Sequence, residues 1–233
     1  MYSWTDAHEP LPIITYNNAY YEAITEKKYL KRFGLPERIT EEMFGAFLGT
    51  YTIDDRRLPP EDRWVHLYEC STIKGDAVLI MEDYQGQYCF ALFCNYVYDD
   101  TNSAVDAAEM CRVFGITSAD DIQSIGVCNN QYRTIHVTTD RAVIQGFFKE
   151  YHLLPGVGSD TFGAEVFGEK DEMEQQELSR ELADEMQMLF VKLENGLTFY
   201  IHYYPSIGYI HQNLNYYKLT PGLSELLQES IVR

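Results

Sequence analysis

Met186-Gln187-Met188-Leu189-Phe190-Val191-Lys192-Leu193-Glu194-Asn195-Gly196-Leu197-Thr198-Phe199-Tyr200-Ile201-His202-Tyr203-Tyr204 is the stretch that decides the fold. Strand-forming apolar and aromatic residues flank an Asn-Gly pair, the strongest short-range hairpin signal, because both residues tolerate positive φ. The pattern predicts an antiparallel hairpin of Met186 to Glu194 against Leu197 to Tyr204. A two-residue turn would set Tyr200 opposite Val191, His202 opposite Leu189 and Tyr204 opposite Gln187. Period-two alternation then puts Leu197, Phe199, Ile201 and Tyr203, with Met188 and Phe190, on a core face. Tyr200, His202 and Tyr204 take the other face.

The same grammar extends in both directions. Ile122 to Cys128 and Tyr132 to Val137 read as a hairpin about Asn129-Asn130. Thr139 then caps a helix in which Val143, Ile144, Phe147, Phe148 and Tyr151 recur at helical spacing. Leu153 to Gly163 reads as a loop leading into an acidic stretch, and Gly222 to Glu229 as a terminal helix after Pro221. From Ile122 onward the layout is ββα–ββα. Towards the N-terminus, Ile13 to Tyr16 and Ala19 to Tyr21 flank Asn17-Asn18, a further hairpin. Thr25 caps a helix from Glu26 to Phe33, which Gly34 and Pro36 end. A second helix is predicted after Thr40, with Glu41 and Glu42 in its first turn, Phe44, Phe47 and Leu48 as its stripe, and Gly49 as its stop. Asp54 to Arg63 is a surface loop. Trp64 to Tyr68, Ala77 to Met81 and Gln87 to Asn95 form a β meander with a turn at Asp83 to Gly86, and Ser103 caps a helix to Phe114. Hairpins are frequent and long helical crossovers are absent, so the fold class is α+β with antiparallel sheets and short helices. The cap-like Thr117-Ser118 divides residues 1–117 from 118–233, either as two sections or within one domain.

The 233 residues are 45% hydrophobic and 14% aromatic, enough for a packed core rather than a disordered chain. Eighteen basic residues against 36 acidic ones leave a formal charge of -18. That balance argues against sequence-independent nucleic-acid binding, which depends on clustered Lys and Arg. The acid is concentrated: nine acidic residues lie between Glu165 and Glu185 against Lys170 and Arg180. The two readings of that stretch are a solvated face and a surface for a basic partner. No apolar run is long enough to span a membrane, and the start from Met1 lacks a secretory signal. Five cysteines, Cys70, Cys89, Cys94, Cys111 and Cys128, at irregular spacing do not form a disulfide framework. Cys89 and Cys94 sit in an apolar run and read as core residues of a strand.

Motifs for chemistry fail on inspection. Gly156-Val157-Gly158 lacks the third glycine and the following Lys of a phosphate cradle. Pro205-Ser206-Ile207-Gly208 is half a nucleophile elbow, with Tyr204 in place of the first glycine. Asp100-x-Asn102 begins like a calcium loop but has Val105 where glycine is needed. No catalytic residue, metal ligand or cofactor is therefore assigned. One segment stands out by composition: six tyrosines and two histidines lie between Phe199 and Tyr217. Tyr200, His202, Tyr204, Tyr209 and His211 are the candidate ligand- or partner-binding residues, since tyrosine combines apolar area with a hydroxyl and few rotors. Ordinary sheet packing accounts for the same residues, because tyrosine also forms strands well.

Two runs carry a resemblance. Ile14-Thr15-Tyr16-Asn17-Asn18-Ala19-Tyr20-Tyr21 with Tyr29-Leu30-Lys31-Arg32-Phe33-Gly34-Leu35-Pro36 is the first, and Leu197 to Ile210 is the second. Both resemble uncharacterised extracytoplasmic domains of Gram-positive gut bacteria. The resemblance implies a domain held outside the membrane by an N-terminal helix or lipid anchor, a segment this chain does not contain. The expected function is a non-enzymatic binding or sensing ectodomain at the cell envelope, with a protein or an envelope component as partner. Two alternatives stand beside it: a cytoplasmic acidic inhibitor or immunity-type protein, and an enzyme whose site would gather His202, His211 and a carboxylate in one pocket.

Overall fold

The computed structural model describes residues 13–53, 59–98, 100, 102–129 and 131–231. The chain forms two compact units. The first holds the chain up to Val97 with Val113–Gly115 and Asn195–Leu197; the second holds Tyr98–Arg112, Ile116–Glu194 and Thr198–Arg233. The main passage between them falls at Val97–Tyr98, upstream of Thr117-Ser118. Residues 98–112 belong with the later chain because hydrogen bonds tie them there. The Tyr98 hydroxyl donates to Asn215 at 2.6 Å, the Gly156 N–H donates to Asp106 at 2.9 Å and the Ala107 N–H donates to Leu154 at 3.0 Å.

In the first unit, β1 (Ile13–Tyr16) and β2 (Ala19–Ile24) close on Asn17 and Asn18. Both have positive φ, 47° and 59°, as a two-residue turn matched to strand twist requires. Helix α1 (Lys27–Phe33) starts one residue later than expected, with Glu26 rather than Thr25 at the N-cap position and no cap bond from the Glu26 side chain. It ends as expected at Gly34, with φ 70°, and the Leu35 N–H returns to the Leu30 carbonyl.

The helix expected after Thr40 does not form. Glu41–Met43 make one 3-10 turn and the chain enters β3 (Phe44–Thr52), antiparallel to β4 (Trp64–Cys70). Two register shifts, between Phe44 and Phe47 and between Phe47 and Gly49, break the strand's period of two. Bulges thus produce the three-residue aromatic spacing that imitated a helical stripe. Gly45 belongs to the same arrangement, since a Cβ there would lie 2.7 Å from Glu69 Cβ. Of the loop expected from Asp54, residues 54–58 lie outside the described residues, and Pro60–Asp62 form a 3-10 turn. Strands β5 (Val78–Asp83) and β6 (Tyr88–Tyr96) complete a six-stranded sheet in the order β1-β2-β6-β5-β4-β3. The sheet curls until its edge strands β1 and β3 meet, with Tyr16 packed edge-on to Tyr51 at 5.6 Å. Tyr21, Ala23, Leu67, Leu79, Met81, Ala91 and Phe93 share the buried face.

The second unit opens with α2 (Ala107–Val113), which begins later than Ser103; that serine bonds Asp100 instead. Strands β7 (Ile122–Cys128) and β8 (Thr134–Thr138) make the expected hairpin, although Asn130 of its turn lies outside the described residues. Asp140, rather than Thr139, caps α3 (Arg141–Tyr151) by accepting from the Ala142 N–H. The segment read as loop and acidic stretch contains two helices, α4 (Ser159–Val166) and α5 (Glu172–Glu185). A reciprocal cap between Asp171 and Glu174 starts α5, and Leu182 anchors it. Strands β9 (Gln187–Leu193), β10 (Thr198–Tyr204), β11 (Tyr209–Gln212) and β12 (Asn215–Lys218) follow as a meander. Helix α6 (Pro221–Leu226) continues into a π turn, Leu227–Ile231. The sheet order is β12-β11-β10-β9-β7-β8. The architecture is α+β throughout, with two antiparallel sheets.

Candidate functional site

The hairpin at Asn195-Gly196 forms, but its register is displaced by one. Tyr200 stands opposite Phe190 rather than Val191, His202 opposite Met188 rather than Leu189, and Gln187 faces Tyr203 rather than Tyr204. The turn has one residue more than two, with Gly196 at φ 91°. The core face of β10 is as predicted, since Leu197, Phe199, Ile201 and Tyr203 are buried. Their partners change: Leu189 and Val191 share that face, while Met188 and Phe190 join Tyr200 and His202.

The five candidate residues lie on this second face but do not make one open site. Tyr209 is buried, and it packs with Phe162, Val166 and Leu182 of α4 and α5, against which Tyr204 also rests. The Tyr209 hydroxyl donates to Glu165 at 2.8 Å, and Lys218 reaches the same carboxylate at 2.6 Å. Tyr204 and Tyr209 are therefore packing residues beneath helices. Tyr200 meets Tyr132 edge-on at 5.0 Å above Cys128, Met188 and Phe190. His202 and His211 are paired across β10 and β11 with ring centroids 5.7 Å apart, and His211 stacks on Tyr216 at 4.5 Å. Burial lowers the pKa of His202. Burial and the neighbouring His202 lower that of His211 to about 4. No carboxylate contributes to either shift. The His211 Nε2 is buried without a hydrogen-bond partner among the described residues. Among the described residues no group of three or more His, Cys, Asp or Glu side chains is placed to hold a metal ion.

The incomplete motifs serve the fold. A Cβ on Gly156 would lie 2.3 Å from the Val105 carbonyl oxygen and one on Gly158 2.0 Å from that of Asn102, so both glycines allow close backbone passage. Ser206 donates to Glu185 through its hydroxyl and its N–H. None of the five cysteines is in a disulfide, and burial pushes the thiols of Cys89, Cys94 and Cys111 up to about 12.

A second surface, in the first unit, was hidden by the helical reading of Phe44 to Leu48. Trp64, His66 and Tyr68 alternate along β4 and so share the outer face of the curled sheet. Strand β3 adds Phe47 and Phe44, and β6 adds Tyr88. Six rings run in continuous contact: Trp64 to His66 at 4.7 Å, His66 to Phe47 at 5.5 Å, Phe47 to Tyr68 at 5.4 Å, Tyr68 to Phe44 at 5.3 Å and Phe44 to Tyr88 at 5.1 Å. Phe47 is 57% exposed and Tyr88 48% exposed. Between the tyrosines lies Glu82, whose two oxygens accept from Tyr68 at 2.9 Å and Tyr88 at 3.0 Å. Burial and this carboxylate raise the Tyr68 phenol above its ordinary range, and the Glu82 hydrogen bond raises that of Tyr88. Thr50 and His66 are joined at 2.8 Å. Beside Tyr88 an open cavity of about 460 Å³ is lined by Ile24, Leu30, Arg38, Gln87 and Phe90. The alternation of Trp64, His66 and Tyr68 was the sequence signal for this strip; the bulged β3 concealed the rest.

Comparison with protein-family models, curated proteins and solved structures gives no match. No helix among the described residues is long and apolar enough to cross a membrane.

Proposed function

We propose that this protein is a non-enzymatic binding module of the bacterial cell envelope, acting outside the membrane, and that the ring strip of the first unit is its recognition surface. The observation that carries the reading is the unbroken run of six rings on an outward sheet face, with Phe47 and Tyr88 each about half exposed. Exposed contiguous apolar area of this kind marks interaction sites on soluble domains. Glu82, fixed by two tyrosine hydroxyls, adds a rigid hydrogen-bond acceptor. Glu41 and Glu42 precede Phe44 in the chain, and Glu61 and Asp62 precede Trp64. With a net charge of -18, this surroundings disfavours a polyanion. A neutral glycan strand fits better, since sugar rings offer apolar C–H faces to aromatic rings and hydroxyls to Glu82 and Thr50. The extracytoplasmic setting rests on the resemblance of Ile14 to Tyr21, Tyr29 to Pro36 and Leu197 to Ile210.

Co-sedimentation with insoluble peptidoglycan stripped of its anionic polymers tests the reading. The protein is expected to sediment with it, and a Phe47→Ala/Trp64→Ala variant to bind at least about tenfold more weakly, as for aromatic anchors of an interface. Circular dichroism should show the variant folded. A folded variant that sediments like the parent, or a parent that stays in solution, would remove the proposal.

A further inference from the structure

Each six-stranded sheet has two edges, and an open edge presents unpaired N–H and C=O groups that invite another chain. Three of the four edges here are guarded. In the first unit β1 and β3 turn toward each other and pack Tyr16 on Tyr51. In the second, β12 is bridged by Val157, whose N–H donates to the Tyr216 carbonyl at 2.8 Å and whose carbonyl accepts from the Tyr216 N–H at 3.3 Å. The fourth edge, β8, has no strand beyond it among the described residues; the terminal π turn Leu227–Ile231 lies against the strand and a register shift interrupts its pairing with β7 at Val127/Cys128, yet Ile135 and Val137 stay uncovered. Its sequence, Thr134-Ile135-His136-Val137-Thr138, carries none of the Lys, Pro or acidic residues that usually blunt an edge. Ile135 is 68% exposed and Val137 47% exposed, and both point to the same face of the sheet.

On that face an open groove of about 550 Å³ runs from β8 to the end of α5. Val127, Cys128 and Met186 lie along it, with Ile135 on one side and Ala183 and Asp184 on the other. Asp184 continues a helical stripe with Glu177 and Glu181, spaced four and three residues apart. All three are exposed, and none forms a salt bridge among the described residues. Arg180 is the single base of α5.

We propose that the β8 edge, with this groove, takes up an extended cationic segment of a partner protein as a seventh strand of the sheet. Backbone hydrogen bonds to β8 would provide the attachment, as in other strand-addition complexes. Lys or Arg side chains on the groove face would lay their aliphatic stems along Ile135 and Val137 and carry their charges to Asp184, Glu181 and Glu177. Charge selects this occupant over a second copy of the chain. Two copies joined at β8 would bring two acidic α5 helices and a charge of -18 each to one seam.

The test uses the whole protein and three short blocked peptides: alternating Lys-Val, alternating Glu-Val, and alternating Lys-Gly with the same charge but no strand preference. Titration followed by hydrogen exchange is expected to show that only Lys-Val binds with slowed exchange in β8, and that salt weakens it. Glu181→Lys/Asp184→Lys should weaken Lys-Val binding at least tenfold, and Ile135→Lys should do likewise. All three positions are exposed, so these variants should keep the parent's circular dichroism. Equal binding of Lys-Gly would show charge attraction alone and overturn the proposal. So would β8 amides that exchange unchanged in the Lys-Val complex. A dimer protected at β8 without peptide would make the occupant a second copy and overturn it also.

Discussion

His202 and His211 show how burial, with a second imidazole beside His211, sets the charge of a side chain. Each imidazole is held below its ordinary pKa, that of His211 at about 4, so both stay neutral in the folded protein near pH 7. In the unfolded chain they protonate near pH 6.5. Between those values the unfolded state binds more protons, so stability rises with pH through the window and is lost on acidification. The stabilisation is complete above about pH 6.5 and falls progressively toward about pH 4, by roughly 2–3 kcal/mol for His211 alone. Urea melts at about pH 7 and pH 4.5 should show this loss in the parent and a smaller one in His211→Phe, which keeps a ring against Tyr216. An equal loss in both proteins would assign the acid sensitivity to other groups.

At the scale of elements, the β9–β10 hairpin is where the reading of sequence was both right and displaced. Phe199 is buried among Leu189, Val191 and the core, so Phe199→Ala is expected to cost about 3–5 kcal/mol. Tyr200 is half-buried against Tyr132, and its removal should cost less, about 1–2 kcal/mol. Gly196→Ala forces a side chain into φ 91° and should cost about 1 kcal/mol or more. Denaturant melts of the three variants check that order, and a larger loss for Tyr200→Ala than for Phe199→Ala would contradict the face assignment. Asn-Gly marked the turn, and alternation marked the buried side of β10, because both are local properties. The length of the turn is not local: one extra residue moved Met188 and Phe190 to the other face. The same limit hid the ring strip, since the bulges of β3 are set by pairing with β4 and gave Phe44 and Phe47 a helical spacing. Helices α4 and α5 were missed for another reason. Their apolar anchors, Phe162, Val166 and Leu182, are too few to make a stripe, and the helices exist because they cover Tyr204 and Tyr209. Hence two of the five candidate residues proved to be their packing surface.

Across the whole molecule, a net charge of -18 means that folding brings like charges together. Raising NaCl from about 20 mM to 300 mM should therefore raise the melting temperature, since the screening length falls severalfold over that range. A melting temperature that drops with salt would instead point to dominant attractive pairs such as Lys218–Glu165. Both units contain a hairpin and a four-stranded meander, separated by one helix, α1, in the first and by three, α3 to α5, in the second, and joined differently. In the first the hairpin's second strand pairs with the meander's last, β2 on β6; in the second its first strand pairs with the meander's first, β7 on β9. The β7–β9 joint is also tight, because a Cβ on Gly126 would lie 2.7 Å from the Phe190 ring. This joint has a kinetic meaning. The Cys128 thiol reaches the Met188 carbonyl across 60 residues of chain, whereas the two hairpins and the helices close locally. Loop-closure entropy must be met before such a distant pair adds any stability, so the local pieces can form early and wait. The folding time of the second unit is then set by how often β9 finds β7.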